Sequence, residues 1–387
     1  MNNIDKLTIC RGCGSKEVVE VWRSPPIPIH LWPLPKNAKT SDQKTTAFVC
    51  KECGLVQLNE MSPQFVESLY DEGVCVCTEQ VDQEHRKAQV LKWGGGNFYQ
   101  NKIVLELGAG NNTFISAIPE SRERWIADFN PSDDIHNIAD KVITGNVENI
   151  ALPENKFDVI CGYYVYEHFI NPLGVTQHIR PSLKDDGLLI VEVPNLHYYN
   201  SKLPHYLFFH QHQTNFTLKT LNYMMAKAKF ECKVVFSHTN EIYAGYVKND
   251  LVQPVSSPSE VEMAIHKIKK SGKLLESIAH HVETETNLLS ANKLSLYGAG
   301  GSMSLFLAYS RELRKALSLA FDKDKRKHGK YVPGTDAKVL NPSEMMTSGS
   351  DHALVISDEL SKNYVGKKIK EKTTISEIVN QVKKKSS

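Results

Sequence analysis

Apolar positions along the chain gather in short runs that end at glycine-rich turns. Residues 102–107 read as a buried strand running straight into Gly108-Ala109-Gly110-Asn111-Asn112, with a helix expected from Thr113. Further apolar runs follow at 124–129, closing around Asp128, and at 141–145, 157–163 and 187–193. Helical spacing covers 171–183 and 216–229, and two more short strands are expected at 234–236 and 243–247. Strands separated by helical segments predict a parallel sheet covered on both faces. The pattern changes near 250. Residues 253–258 are rich in proline and serine and read as a linker, and 260–289 place Ile265, Ile268, Leu275 and Ile278 at helical spacing. A second apolar run then meets a second glycine turn, Leu294-Ser295-Leu296-Tyr297-Gly298-Ala299-Gly300-Gly301. A helix over 303–313 and a strand over 317–321, ending at Asp322, are expected after it.

The first 78 residues read differently. Residues 24–44 are proline-rich and polar, so a loop is expected there. Ser62 and Pro63 open a short helix over 63–69, and 79–93 has polar helical spacing before a Gly94-Gly95-Gly96 break. The 387 residues thus divide into an N-terminal module (1–78), an α/β domain (79–250), a helical linker (251–292) and a second α/β domain (293–387). Hydrophobic residues at 41% and charged residues at 23% make this globular composition and exclude wholesale disorder. The formal charge of +2 gives no electrostatic reason to expect nucleic acid or an anionic membrane as partner. No apolar run approaches the ~20 residues of a membrane span, and 1–11 carry no apolar signal core. A cytoplasmic protein acting on a small molecule is the expectation, as a monomer or homodimer.

Four of the eight cysteines form two C-x-x-C pairs, Cys10/Cys13 and Cys50/Cys53, each followed by glycine. In a reducing compartment such pairs read as metal ligands, and four thiolates complete the closed tetrahedral shell of structural Zn2+. The alternative, a redox dithiol, lacks the βαβ context that such motifs need. Metal binding would also stabilise a module too short for a large core of its own. Cys75 and Cys77 can flank a site, but Cys75, Cys77, Cys161 and Cys232 read first as packing residues.

At the first glycine turn, backbone can approach a ligand closely. The pattern Glu106-x-Gly108-x-Gly110 puts an acid before the first glycine and Asn112 where a dinucleotide fold prefers glycine. That suits S-adenosylmethionine (SAM), whose amino-acid end is cationic as well as anionic; an NAD-binding fold is the alternative. Asp128 is placed to accept ribose hydroxyls, and Asn146 with Val147 to hold adenine. In order with Tyr163 and Tyr166-Glu167-His168-Phe169-x-x-Pro172, this stretch resembles a class I SAM-dependent methyltransferase.

The C-x-x-C pairs, the SAM-type domain and the second glycine turn together resemble the zinc-containing sugar C-methyltransferase family. The resemblance also takes in Cys53-Gly54-Leu55-Val56-Gln57-Leu58 and Asp322-x-x-Lys325-x-x-His328-Gly329-Lys330-Tyr331-x-Pro333-Gly334. It implies an α/β fold with a class I methyltransferase Rossmann-like domain, an N-terminal zinc-binding module and a C-terminal second Rossmann-like domain. It implies methylation of a nucleotide-activated keto-deoxysugar beside its carbonyl. Substrate contacts are expected from Tyr164, Glu167, His168 and Gln211, and from Tyr297, Gly298, Gly300, Gly301 and Lys325. The family's Tyr-His-Glu-His catalytic run corresponds to Phe209-His210-Gln211-His212 here. Both histidines are kept as candidate bases, but Phe209 has no hydroxyl and Gln211 cannot carry a proton. Carbon methylation needs a base for a carbon-bound proton and a donor for the enolate oxygen. Methylation of a hydroxyl or amine needs only a base and positioning. O- or N-methylation and a catalytically inactive binding homologue therefore stand as alternatives.

Overall fold

The computed structural model describes residues 7–38, 42–59, 83–110, 113–198, 207–285, 294–349, 352–355, 371–374, 377, 380–382 and 384. The expected helix over 63–69, the start of the next at 79–82, Asn111, Asn112, Cys75 and Cys77 lie outside them. The chain divides into two compact units. One gathers 1–20, 47–202 and 211–265, and the other 21–46, 203–210 and 266–387.

In the first unit, β4 (Ile103–Leu107), β5 (Glu123–Asp128), β6 (Lys141–Thr144), β7 (Phe157–Tyr163) and β8 (Leu183–Pro194) are parallel neighbours. β10 (Phe230–His238) and β11 (Glu241–Lys248) close the sheet antiparallel, in the order β10-β11-β8-β7-β4-β5-β6. This is the class I SAM methyltransferase arrangement, a Rossmann-like sheet with a reversed hairpin at one edge. Alternate residues bury opposite faces. Leu105, Leu107, Ile160, Leu189 and Val191 share one core with Val175, Ile179, Leu221 and Met225. Val104, Val159, Cys161, Leu188 and Ile190 share the other with Val90, Phe114 and Ile115. The covering helices are α1 (Gln83–Gly94), α2 (Pro172–Ile179) and α3 (Leu218–Lys227). Asn171 caps α2 by accepting from the Gly174 N–H, and Thr217 caps α3 in a capping box with Thr220. Leu107 pairs with Ala127 and with Gly162, so the first glycine turn, Asp128 and Tyr163 stand at the same end of the sheet.

Three expectations are corrected here. The helix expected from Thr113 is a single 3-10 turn, Phe114–Ala117, because Pro119 follows at once and cannot continue it. The helix over 171–183 stops at Ile179, and Pro181 turns the chain through Arg180–Ser182 into β8. The loop over 24–44 gives way at both ends to strands, β1 (Val18–Pro28) and β2 (Asp42–Cys50). With β3 (Val56–Leu58) and β9 (Thr214–Asn215) they form a small sheet ordered β1-β2-β3-β9. β1 is an edge strand, where proline's missing N–H costs little.

The linker helix α4 (Pro258–Glu285) carries the boundary between the units within its length. In the second unit, β12 (Leu294–Tyr297), β13 (Leu317–Phe321), β14 (Lys338–Leu340), β15 (His352–Val355) and β16 (Glu371–Thr374) form an all-parallel sheet, ordered β14-β13-β12-β15-β16. Ile278 and Val282 of α4 pack against Leu294, Leu296 and Met303. The helix expected over 303–313 is two pieces, α5 (Gly301–Leu307) and α6 (Arg311–Ala316). Ser310 starts the second by accepting from the Leu313 N–H. Among the described residues, no helix is long and apolar enough to cross a membrane.

Candidate functional site

The first glycine turn leaves β4 in left-handed backbone, with φ of 64° at Gly108 and 56° at Gly110. The Gly108 N–H donates to the Ala127 carbonyl at 2.8 Å, and a Cβ at Gly108 would stand 2.6 Å from Val165 Cγ2. At Gly110 a Cβ would meet nothing within 4 Å among the described residues. Asp128 ends β5. One carboxylate oxygen accepts from the Gly110 N–H at 3.1 Å and the other from the Asn130 N–H at 2.9 Å. Each oxygen keeps a lone pair for a ribose hydroxyl. The end of β6 joins the same corner, since the Gly145 N–H donates to the Asp128 carbonyl at 2.9 Å. Asn146 folds the next turn by accepting from the Glu148 N–H at 2.9 Å, and Val147 is buried beside it.

Glu106 lies beneath this turn. Its oxygens accept from the Thr113 hydroxyl, the Phe114 N–H at 2.9 Å and the Ile115 N–H at 3.1 Å. The acid thus ties the turn down from below, and burial raises its pKa. Tyr163 ends β7, its ring 4.9 Å from Phe114 and 5.9 Å from Tyr243. Tyr164 follows with φ of 53°, its N–H donating to the Glu192 carbonyl at 2.8 Å. Sequence reasoning missed the ion pair beside them. Arg86 on α1 donates from Nε to Glu192 at 2.5 Å, both side chains buried, with its guanidinium 4.5 Å from the Tyr163 ring centroid. A lone acid inside the apolar run 188–193 was the available signal. Glycine backbone in left-handed conformation, the Asp128 carboxylate and aromatic walls at the strand ends stand together at one end of the sheet.

The four C-x-x-C sulfurs lie within 4.8 Å of one another and are buried. Cys10 and Cys53 are 3.7 Å apart, Cys13 and Cys50 3.6 Å. A tetrahedron with metal–sulfur bonds of about 2.3 Å has edges of about 3.8 Å, so the donors fit zinc. Within the first knuckle, Arg11 is buried. Its Nη1 donates to the carbonyls of Leu58 at 3.1 Å and Gln213 at 2.9 Å, and its N–H donates to the Gln57 side chain at 2.9 Å. The knuckle therefore braces the residue next to His212.

The two candidate bases part company. His212 meets Glu167 and His168, one ligand atom from each lying within 4.8 Å of the others. The two rings stand edge to face at 4.8 Å. His168 Nδ1 bonds the Gln211 carbonyl at 2.9 Å, and Nε2 stands 3.9 Å from Glu167 Oε1. Glu167 is 1% exposed, neither carboxyl oxygen has a side-chain hydrogen-bond partner among the described residues, and burial pushes its pKa to about 8. His210 belongs to the other unit, where its Nε2 bonds the Ile29 carbonyl. Burial lowers both His168 and His210 to about 4. The unfolded chain therefore binds more protons on these rings between pH 6.5 and 4, and stability is lost as pH falls through that window. Denaturant titrations at pH 6.5 and 4.5 should show the loss, and His210→Gln should reduce its pH dependence whatever it does to absolute stability.

The second unit repeats the first turn in outline. Gly298 has φ of 97°, and its N–H donates to the Phe321 carbonyl at 2.8 Å. Asp322, after β13, accepts from the Ala299 N–H and the Asp324 N–H, each at 2.9 Å. Tyr297 is buried at the end of β12. Gly300 and Gly301 lie close to Trp32 and Phe209: a Cβ would stand 3.7 Å from the first and 3.0 Å from the second. Lys325 is exposed. The lysine that reaches Asp322 is Lys327, at 2.8 Å, and the expectation had not singled it out.

Residues 71–234 match the model of a methyltransferase domain, and 259–379 that of a C-methyltransferase C-terminal domain. No curated protein matches the chain. Solved structures similar to it include 1,6-didemethyltoxoflavin-N1-methyltransferase of Burkholderia thailandensis, with S-adenosylhomocysteine bound. It is 15% identical over 57% of this chain and 100% of its own, with a TM-score of 0.39. A SAM-dependent methyltransferase of Clostridium acetobutylicum is 12% identical over 44% and 93%, TM-score 0.35. The YcgJ protein of Bacillus subtilis is 17% identical over 38% and 70%, TM-score 0.32. Likenesses this partial say nothing of substrate. The sheet order and the two domain matches do speak to the reaction class: the chain is a SAM-dependent methyltransferase with a C-methyltransferase C-terminal domain.

Proposed function

We propose that the chain methylates the carbon beside the keto group of a nucleotide-activated deoxysugar, with His212 as base, in the manner of the zinc-containing sugar C-methyltransferases. The match of 259–379 to a C-methyltransferase C-terminal domain carries this reading. SAM, when bound at Gly108, Gly110, Asp128, Asn146, Val147 and Tyr163, supplies an electrophilic methyl on a sulfonium centre. The chain's own task is to orient the acceptor and take its proton, and imidazole is the side chain most used for that. His212 is preferred over His210 because it belongs to the unit that holds the first glycine turn, where it meets Glu167 and His168. Tyr164, Glu167, His168 and Gln211 are the candidate contacts for the sugar. Tyr297, Gly298, Gly300, Gly301 and Lys325 are those for its nucleotide, within the segment 293–387. Cys10, Cys13, Cys50 and Cys53 hold structural Zn2+. The free thiols of Cys161 and Cys232 fit a reducing cytoplasm.

A second reading, O- or N-methylation, is favoured by one observation. Phe209 packs with Ile27, Leu31, Leu305 and Ala308, an apolar role that leaves no enolate donor at that position. Incubation with a nucleoside-diphosphate keto-deoxysugar in heavy water separates the two. Carbon methylation predicts deuterium uptake beside the carbonyl that His212→Asn abolishes. Turnover of a hydroxyl or amine acceptor with no such uptake rejects it, and SAM binding without turnover of any acceptor points to an inactive homologue.

A further inference from the structure

Glu167 holds its hydrogen where most carboxyls have lost theirs. It sits in the 3-10 turn Tyr166–His168, 1% exposed, and neither oxygen has a side-chain hydrogen-bond partner among the described residues. The charged group whose field reaches it is Glu192 on β8, a like charge that is itself engaged by Arg86. Burial and a like charge both favour the uncharged form. Its own backbone N–H works the other way and is outweighed, leaving the pKa at about 8. Two imidazoles share the cluster. His168 Nε2 stands 3.9 Å from Oε1, and a Glu167 oxygen and a His212 ring nitrogen lie within 4.8 Å of each other. The Gln211 carbonyl can only accept, so His168 Nδ1 carries the ring hydrogen and Nε2 a lone pair. Burial lowers His168 to about 4, which keeps it in that form at neutral pH. Of the two groups clustered with His212, the Glu167 carboxyl is therefore the one with a hydrogen to give into the space they share.

We propose that Glu167, as the uncharged acid, donates a hydrogen bond to the acceptor's carbonyl oxygen while His212 takes the proton from the carbon beside it. This rests on the carbon-methylation reading and gives it the enolate donor that Phe209 cannot be. A carbonyl oxygen and the carbon beside the carbonyl are about 2.4 Å apart, and a base and a donor each reach about 3 Å, so two groups less than about 5 Å apart can hold both. The acceptor C–H bond breaks, the proton passes to a ring nitrogen of His212, and the electron pair spreads onto the carbonyl oxygen. The Glu167 hydrogen bond strengthens as charge gathers there. The pair then returns to carbon and forms the new C–CH3 bond while the S–CH3 bond breaks and leaves its pair on sulfur. The Glu167 hydrogen stays with Glu167, and no oxidant or reductant is needed. A carboxylate could not do this, because it only accepts; a carboxylic acid held neutral by an apolar site can.

Two substitutions separate donation from charge. Glu167→Gln keeps a donor on the same stem, and Glu167→Leu keeps the bulk without one. With the nucleoside-diphosphate keto-deoxysugar in heavy water, deuterium uptake should fall about 100-fold or more in Glu167→Leu and no more than about tenfold in Glu167→Gln. Wild-type uptake should decline as pH rises through about 8, where the acid loses its hydrogen, and Glu167→Gln should show no such decline. SAM affinity by calorimetry should stay within twofold in both variants. Without any substrate, carbon-13 NMR of glutamate-labelled protein, with Glu167→Gln to assign the signal, should find the Glu167 carboxyl protonated at pH 7. A carboxyl already ionised at pH 7, an alkaline decline that persists in Glu167→Gln, or uptake in Glu167→Leu within threefold of the wild type overturns the proposal and leaves the carbon-methylation reading standing. A wild type that takes up no deuterium at any pH removes that reading, and the proposal with it.

Discussion

Cys53→Ser is expected to yield a chain that holds almost no zinc and melts at least about 10 °C below the wild type. The argument begins with the sulfurs, which stand 3.6 and 3.7 Å apart in two pairs, with all four buried. Four thiols this close compete for protons. Hydrogen bonds among them raise the pKa of Cys10 and Cys53 and lower that of Cys13 and Cys50. A cation resolves the competition by binding all four as thiolates. Structural zinc contributes about 10–16 kcal/mol in small domains, and whole proteins are stable by only about 5–15 kcal/mol. Losing one ligand therefore threatens the fold around it, including the β3–β9 pairing, where Gln57 faces Thr214. Elemental analysis should find one zinc per wild-type chain and almost none in the variant. A wild-type chain purified without chelator that carries no metal, or a variant that melts with the wild type, would falsify the assignment.

Asp128→Ala should weaken SAM binding by about 100-fold or more while moving the melting temperature little. The carboxylate holds Gly110 and Asn130 through separate oxygens, and on the proposed cofactor reading it accepts the ribose hydroxyls. Hydrogen bonds to a charged group contribute about 1.5–3 kcal/mol each, and 1.4 kcal/mol is tenfold in affinity. Two lost ribose contacts give the predicted factor, and an unanchored glycine turn adds to it. Calorimetric titration with SAM measures the change. An affinity within fivefold of the wild type removes Asp128 from the cofactor site.

Much of this was legible because buried parallel strands announce themselves. Residues 102–107, 157–163 and 294–297 are apolar runs cut off by glycine or by a change of pattern, and each is a strand where the pattern put it. The strand through Pro25, Pro26 and Pro28 was hidden because proline counts against a strand, and only its edge position reverses that judgement. Pro119 and Pro181 end two helices that the apolar spacing alone would carry further. At the site, each of Glu167, His168 and His212 stood out alone. Their meeting depends on a fold that brings positions 168 and 212 together, and no local pattern encodes that. The Arg86–Glu192 pair spans 106 positions and was invisible for the same reason.

The division into two units has a consequence in time. Ile27 and Leu31 pack against Leu305 and Ala308, and the rest of their unit begins at 266. A ribosome adding about 5–20 residues per second needs on the order of 10–45 s to travel from 46 to 266. Through that interval an apolar strand and its proline-rich extension are already made, while the surface that will cover them has yet to be synthesised. The first unit has all its parts once 265 has emerged, before 266–387 are made. Residues 21–46 thus wait for Leu305 and Ala308 long after they are made, which makes them a natural hold for a chaperone.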